Sequence, residues 1–254
     1  MRINSILILA AGRGTRLKPF TDHLPKSLLP LGHTNILRNL IEQSNEYFTG
    51  VKIYVNASYL AEKIIEEMNN FSITIRPYII WEQYPLGPAI TVTNHCNETN
   101  GNVLVIHGDN FFSDVSFSKF ANSINQKKQD VSILLCHLRE KNAARSLVIE
   151  NEGLIKSISE VSVSDSSENV DQSGSNKLVW SSSGVLVIKK GSLLNFIPDK
   201  GASLSPGLIN HITSHGDLEL EKCTDARISI DNEKSYLAAI GISQNGKNLF
   251  NRAF

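Results

Sequence analysis

Cysteine is scarce in this chain: Cys96, Cys136 and Cys223 stand far apart among 254 residues. An odd, widely spaced set of three gives neither a disulfide framework nor the paired spacings of a zinc site. Aromatic residues are also few, at 7%, and Trp81 and Trp180 read as core or rim. Excess charge of either sign is missing, because 25 Lys and Arg balance 25 Asp and Glu at a pI near 7.1. Electrostatics therefore gives no reason to expect a nucleic acid or a membrane surface as partner. No apolar run approaches the roughly 20 residues that span a bilayer, and no signal-peptide pattern precedes the first one. With unpaired cysteines, this predicts a cytoplasmic protein.

What remains is ample for a globular enzyme. Hydrophobic residues make up 41% of the chain, enough to fill the core of one large domain. Strand-like apolar runs at 5–10, 51–56, 73–80, 102–107 and 131–137 alternate with helix-like stretches at 35–47, 58–70, 87–95 and 116–127. In the second of these helices Leu60, Ile64 and Met68 recur every four residues, the mark of an amphipathic crossover. The alternation predicts an α/β fold, a Rossmann-like, mostly parallel sheet flanked by helices. After about residue 140 the strands shorten (145–150, 154–158, 184–188), and Ser157 to Ser183 is rich in Ser, Asp, Asn and Gly, a composition of exposed excursions. Helical patterns resume near 203–214 and 232–240. With no internal repeat and no linker, we expect one domain over 1–254, a nucleotide-binding half to about residue 140 and an acceptor half from about 141.

The first apolar run, Ile6-Leu7-Ile8-Leu9, opens directly into Ala10-Ala11-Gly12-Arg13-Gly14-Thr15-Arg16-Leu17. Glycines placed where a strand leaves the sheet let an oxyanion approach the backbone, and successive N–H groups there form an anion-binding concavity. Arg13, Arg16, Lys18 and Lys26 concentrate four cations in this short stretch of a neutral chain. Two familiar phosphate loops are excluded. A P-loop requires Gly, four intervening residues and then Gly-Lys-Ser/Thr, and a dinucleotide fingerprint requires a third Gly where Leu17 stands.

A second landmark, His107-Gly108-Asp109, ends the strand Val103-Leu104-Val105-Ile106. Ligands of parallel sheets gather at the carboxyl ends of the strands, so Asp109 and the glycine loop are expected to face one crevice. A third, Glu82-Gln83-Tyr84-Pro85-Leu86-Gly87, lies between a strand and a helix. Glu82 is a carboxylate acceptor, suited to a partner rich in donors, and Gly87 permits close approach to the main chain. Among the histidines, His211 and His215 are spaced i, i+4, but Ile212 replaces the Glu of a zinc-protease motif.

Leu9 to Leu17, Pro19, Thr21 and Pro25-Lys26-Ser27-Leu28-Leu29-Pro30 resemble, nearly residue for residue, the signature of the sugar-phosphate nucleotidyltransferases, L-A-A-G-x-G-T-R-L followed by P-K-x-L-x-P. The absence of a C-terminal β-helix repeat is similar to the short form of these pyrophosphorylases. The resemblance implies coupling of an NTP to a sugar 1-phosphate with release of pyrophosphate, with Mg²⁺ as cofactor, and guanylyl or cytidylyl transfer is favoured from Glu82. It implies that Leu9, Ala10, Ala11, Gly12, Gly14, Thr15, Glu82 and Gly87 bind the nucleotide, that Arg16, Lys26 and Asp109 are catalytic, and that Asp109 holds the metal. Enzymes of this kind often form homo-oligomers. A phosphocholine cytidylyltransferase, or a relative that binds nucleotide sugars without catalysis, is the alternative.

The acceptor half departs from that pattern. E-K-P becomes Glu160-Val161-Ser162, so the family's phosphate-binding lysine is missing, and Lys156, Lys177 and Arg145 are the cations left to replace it. N-A-G-I-Y-V becomes Ser182-Ser183-Gly184-Val185-Leu186-Val187, which puts Ser182, with Glu160, on the acceptor. The element that carries the second metal carboxylate reads Ser229-Ile230-Asp231. There Asp231, two residues on and expected on the same strand face, would replace the Asp that Ser229 displaces.

Overall fold

The computed structural model describes residues 1–72, 75–138, 146–160, 180–199, 202–216, 218–223 and 227–250. Its first strands are β1 (Ile3–Leu9), the short hairpin β2 (Pro30–Leu31) and β3 (Thr34–Asn35), β4 (Lys52–Ala57), β5 (Tyr78–Trp81), β6 (Asn102–His107) and β7 (Asn110–Phe112). Helices α1 (Ile36–Tyr47), α2 (Ala61–Asn69), α3 (Pro88–Glu98) and α4 (Asp114–Gln126) intervene. Then come β8 (Ser132–Leu138), β9 (Ser146–Asn151), β10 (Leu154–Glu160), β11 (Trp180–Ile188), α5 (Ile209–His215), β12 (Leu218–Lys222), β13 (Arg227–Ser229) and α6 (Glu233–Phe250).

Local chemistry sets the helix starts. The Asn35 side chain caps α1 by accepting from Arg38 N–H at 2.8 Å, and Ser113 caps α4 by accepting from Ser116 N–H at 3.2 Å. Helix α3 begins on Pro88, directly after Gly87 at φ 96°. Proline is tolerated at the first helical position because its missing N–H would have no partner within the helix.

Nine strands form one sheet in the order β5-β4-β1-β6-β11-β8-β12-β10-β9. The β5-β4-β1-β6 half is wholly parallel. Beyond it the sheet is mixed, because β11 runs antiparallel to both β6 and β8 while β12 runs parallel to β8. The fold is thus α/β and Rossmann-like, with the mostly parallel arrangement expected from the sequence realised in the first half and a mixed sheet beyond it. Successive residues of a strand point to opposite faces, and β1 divides accordingly. Ile6 and Ile8 pack with α1, α2 and α4 residues such as Leu40, Ile64 and Phe117, whereas Leu7 packs with Ala89 and Val92 of α3 and Ile209 and Ile212 of α5. Helices cover both faces, and the carboxyl ends of β1, β4 and β6 are left to open on one edge.

Candidate active site

That edge carries a cavity of about 320 Å³ lined by residues from both sides of the sheet, and it brings together most of the residues singled out from the sequence. Leu9, Ala10, Ala11, Gly12, Gly14, Thr15, Arg16, Lys26, Glu82, Gly87, Asp109 and Asp231 all line it.

The glycine loop owes its path to tight packing. Gly14 is left-handed at φ 62°, and a Cβ there would lie 2.9 Å from the Cβ of Lys26 and 3.1 Å from Cγ2 of Thr21. The buried Thr21 hydroxyl donates to the Gly14 carbonyl at 2.9 Å. Thr15, Arg16 and Leu17 then form a single 3₁₀ turn anchored by the buried Leu17. Gly12 differs, because a Cβ there would meet nothing within 4 Å. Protein packing leaves the space above Gly12 open, as an approaching ligand requires. The N–H groups of Gly12, Arg13 and Gly14 meet no backbone acceptor among the described residues.

Opposite the loop, Gly108 N–H donates to the Leu9 carbonyl at 2.9 Å, and a Cβ on Gly108 would come within 2.7 Å of that oxygen. Glycine is needed there for β1 and β6 to converge, and their convergence sets Asp109 against the loop. Lys26, whose side chain is 12% exposed, places Nζ 2.7 Å from Asp109 Oδ2 and 3.2 Å from Asp231 Oδ1. Arg16 is 78% exposed and reaches Asp231 Oδ1 at 3.7 Å. Two cations and two carboxylates from widely separated parts of the chain thus share one charge-balanced cluster. Beside it, burial pushes the His107 imidazole below its ordinary pKa, a shift that nearby Asp109 opposes.

Asp231 arrives by a different route from the one expected. Strand β13 stops at Ser229, so Asp231 is not on a strand face. It enters through a tight turn in which its N–H donates to the Ser229 carbonyl at 3.1 Å, and Ser229 Oγ donates to Asp231 Oδ2 at 2.8 Å. The start of α6 secures the turn, since Ser235 Oγ accepts from Asp231 N–H at 2.9 Å and Ser235 N–H donates to Asn232 Oδ1 at 2.9 Å. Ser229 therefore holds the Asp231 carboxylate in place. Ile230 N–H donates to the Asp109 carbonyl at 2.9 Å and joins the two acidic segments.

The Glu82 side chain is only partly as expected. It lines the cavity, yet it is buried and already hydrogen-bonded within the protein. Oε1 accepts from Asn56 Nδ2 at 3.0 Å and from Thr91 Oγ1 at 2.5 Å, and Oε2 accepts from Leu86 N–H at 3.2 Å. Asn56 also accepts from Ala10 N–H at 2.7 Å and from Ala11 N–H at 3.3 Å, so the Ala10 and Ala11 amides are not both free for a ligand. Asn56 and Thr91 were missed in the sequence. The signal for Asn56 was a polar residue at the carboxyl end of the otherwise apolar strand Ile53-Tyr54-Val55; Thr91 gave none.

The acceptor-side residues are less well gathered. Ser182 lies in β11, where its Oγ accepts from Gly184 N–H at 3.1 Å, and it is not among the residues lining the cavity. Glu160 closes β10, but its side chain lies outside the described residues. Arg145 and Lys177 also lie outside them, and Lys156 is exposed on β10. Gly184 does not line the cavity either, but it packs behind the lining residue His107: at φ 70°, a Cβ on it would sit 2.5 Å from Asn110 Nδ2 and 3.2 Å from His107 Cβ.

A Rossmann-like sheet with a glycine loop and a Lys–Asp cluster at the ends of its strands defines an α/β protein, and this edge is where sheets of that kind receive their ligands. The family described as nucleotidyl transferase matches residues 5–170, well over half of the chain, and the chain belongs to that family. Its sequence is 34% identical over 108 residues to the bifunctional protein GlmU of Methanococcus maripaludis, a match covering 42% of this chain and only 25% of that protein. Among solved structures, HddC from Yersinia pseudotuberculosis superimposes with a TM-score of 0.71 at 22% identity, covering 94% of this chain and 99% of that one. CTP:phosphocholine cytidylyltransferase (LicC) from Streptococcus pneumoniae does so with a TM-score of 0.69 at 18% identity, covering 95% and 99%. At these identities the structural likeness is one of fold.

Proposed function

We propose that this chain is a sugar-1-phosphate nucleotidylyltransferase, which joins an NTP to a sugar 1-phosphate and supplies activated sugars for polysaccharide assembly. A phosphate oxygen of the acceptor attacks the α-phosphorus of the NTP, the bond from that phosphorus to the β-phosphate bridging oxygen breaks, and pyrophosphate leaves. The attacking phosphate is already anionic, so the protein's task is alignment and charge neutralisation rather than general base catalysis. The observation that carries this reading is the convergence of Arg16, Lys26, Asp109 and Asp231 on the cavity beside the glycine loop.

Each residue then has a defined task. The N–H groups of Gly12 to Gly14 receive the triphosphate, and Arg16, exposed at the rim, pairs with the leaving β- and γ-phosphates. Lys26 is held at the cleft by the two carboxylates until substrate arrives. It then turns to the α-phosphate, where it offsets the charge of the in-line transition state.

The donor set fits Mg²⁺. Asp109 and Asp231 offer hard oxygen ligands that reach the same ammonium group. No cluster of three or more His, Cys, Asp and Glu competes among the described residues. Mg²⁺ takes one or two carboxylates and fills the rest of its shell with phosphates and water. Asp109 and Asp231 would hold it, and it would supply neutralisation of phosphate charge.

Pyrophosphate release from each of the four common NTPs, with Mg²⁺ and a panel of sugar 1-phosphates plus phosphocholine, tests the proposal. Turnover with a sugar 1-phosphate supports it, turnover with phosphocholine alone replaces it, and tight NTP binding without turnover shows a sensor.

A further inference from the structure

We infer that a second pocket, on the sheet edge away from the cleft, binds the phosphate group of a small hydroxyl-rich phosphomonoester such as a sugar phosphate. The inference does not depend on the chemistry proposed for the cleft.

The pocket encloses about 620 Å³ at the amino ends of β8 and β12, where the antiparallel β11 finishes. Asn102, which starts β6, accepts from Lys190 N–H at its floor, whereas His107, which ends β6, lines the cleft. About 15–20 Å of strand therefore separates the two, and a small ligand in one does not touch the other.

Four lysines line the pocket in two pairs. Lys127 and Lys128 lie between α4 and β8, and Lys189 and Lys190 directly follow β11. Against them stand two carboxylates, Asp130 and Glu219. Glu219 Oε2 lies 2.5 Å from Lys127 Nζ and offsets that charge. Asp130 does not offset a lysine, because its Oδ1 accepts from the buried Asn102 Nδ2 at 2.8 Å. Lys128, Lys189 and Lys190 form no ion pair among the described residues. Like charges gathered on one pocket without partners repel, and an anion between them relieves the repulsion.

The backbone that carries these lysines is fastened from below. Lys189 N–H donates to the buried Ser132 Oγ at 3.1 Å, and Lys190 N–H donates to Asn102 Oδ1 at 3.0 Å. Asn102 thereby ties the segment bearing Asp130 to the one bearing Lys190. Ser192 N–H closes a tight turn onto the Lys189 carbonyl at 3.1 Å, with Gly191 left-handed at φ 83°. A Cβ on Gly191 would meet nothing within 4 Å, and its N–H meets no backbone acceptor among the described residues.

The lining selects the class of anion. A lysine ammonium is a point charge suited to phosphate, and a phosphomonoester brings about −1.5 to −2 charges at pH 7. Asp130 Oδ2 and Glu219 Oε1 carry no bond among the described residues and can accept from hydroxyl groups. No Phe, Tyr or Trp among the described residues lines the pocket to stack on a nucleobase. A hydroxyl-rich carrier fits this lining better than a nucleotide does.

Amide chemical shifts of the full chain, titrated with glucose 6-phosphate, AMP or sodium sulfate at matched ionic strength, test the inference. Glucose 6-phosphate is expected to shift Lys128, Lys190, Gly191 and Ser192 saturably. Combining Lys189→Gln with Lys190→Gln is expected to weaken that binding about tenfold or more, as for the loss of charge-assisted bonds. Both lysines are exposed, so the double variant keeps the fold. Lys128→Gln, on the other segment, should weaken binding as well. The Gly12 and Gly14 amides report any binding at the cleft separately. Shifts at the pocket that fail to saturate below about 10 mM, or that sulfate reproduces in full, overturn the inference. AMP binding there as tightly as glucose 6-phosphate overturns the hydroxyl-rich class.

Discussion

Gly14 and Lys26 are packed so closely that neither can change without disturbing the other. A Cβ at position 14 would lie 2.9 Å from the lysine Cβ and 3.4 Å from its Cδ, and the backbone at Gly14 is left-handed. The loop thus holds the stem of the lysine whose ammonium meets Asp109 and Asp231. Gly14→Ala is expected to cost about 1–3 kcal/mol in left-handed strain alone and to push Lys26 away from the carboxylates. Chemical denaturation and turnover measured on the same sample check this. Unchanged stability with full activity would show that the loop tolerates a side chain there.

Arg16 and Lys26 should each be needed for turnover. Each supplies a cation to the cleft, and loss of one such electrostatic group typically costs on the order of 10²–10³ in rate. Arg16→Ala is expected to lose that much while stability stays within about 0.5 kcal/mol, as for exposed substitutions. Lys26→Ala leaves Asp109 and Asp231 without their shared ammonium. It is expected to lose activity by a similar factor and to regain none of the loss in high salt. Near-normal pyrophosphate release in both variants would remove the cleft from the chemistry.

The proposed role of Asp231 as a metal ligand makes its own prediction. Asp231 is held by Ser229 and by the capped start of α6. Asp231→Asn should raise the Mg²⁺ concentration for half-maximal turnover by about 10–100-fold, and Ser229→Ala, which removes only the supporting hydroxyl, by less. A Mg²⁺ titration of activity reads both. An unaltered Mg²⁺ requirement in Asp231→Asn would leave Asp109 as the sole protein ligand.

Much of the scaffold was legible because hydrophobic periodicity reports burial. The runs that became β1, β4, β6 and β8, and the patterns that became α1 to α4, lie within a few residues of their observed places. β5 starts later than expected, at Tyr78. Strand direction was not legible. β11 reads as an apolar run whether it runs parallel or antiparallel, and only the structure shows it inserted between β6 and β8. The short β7–β13 pair is likewise three residues a side, too brief for any period to show. In the site, the glycine loop, Lys26 and Asp109 were marked by residue type and spacing. The part played by Asn56 was not, because its significance lies in bonds to Ala10, Ala11 and Glu82 from distant parts of the chain. Glu82 is the converse case: its residue type suits a ligand, and three bonds to protein donors could be seen only in the structure.

Far from these groups, His95 should make the fold sensitive to mild acid. It is buried on α3, with Nε2 2.6 Å from Ser5 Oγ and its ring 4.6 Å from that of Tyr54. Burial lowers its pKa from the ordinary 6.5, and the nearby Glu98 charge opposes that shift only in part. In the unfolded chain the imidazole takes up a proton around pH 6.5, whereas in the folded protein it resists until lower pH. The unfolded state thus binds more protons in this window, and stability rises with pH through it. The contribution is fully present above pH 6.5 and is lost as pH falls toward the folded pKa, by up to about 1.4 kcal/mol per pH unit. His95→Gln removes the titrating group, so the difference in unfolding free energy between pH 7.5 and 5.5 should shrink relative to the unaltered chain. The lowered pKa values of His107 and His211 leave a residual slope of the same sign. Denaturant titrations at the two pH values measure it, and an undiminished slope in His95→Gln would place the acid sensitivity on those other histidines.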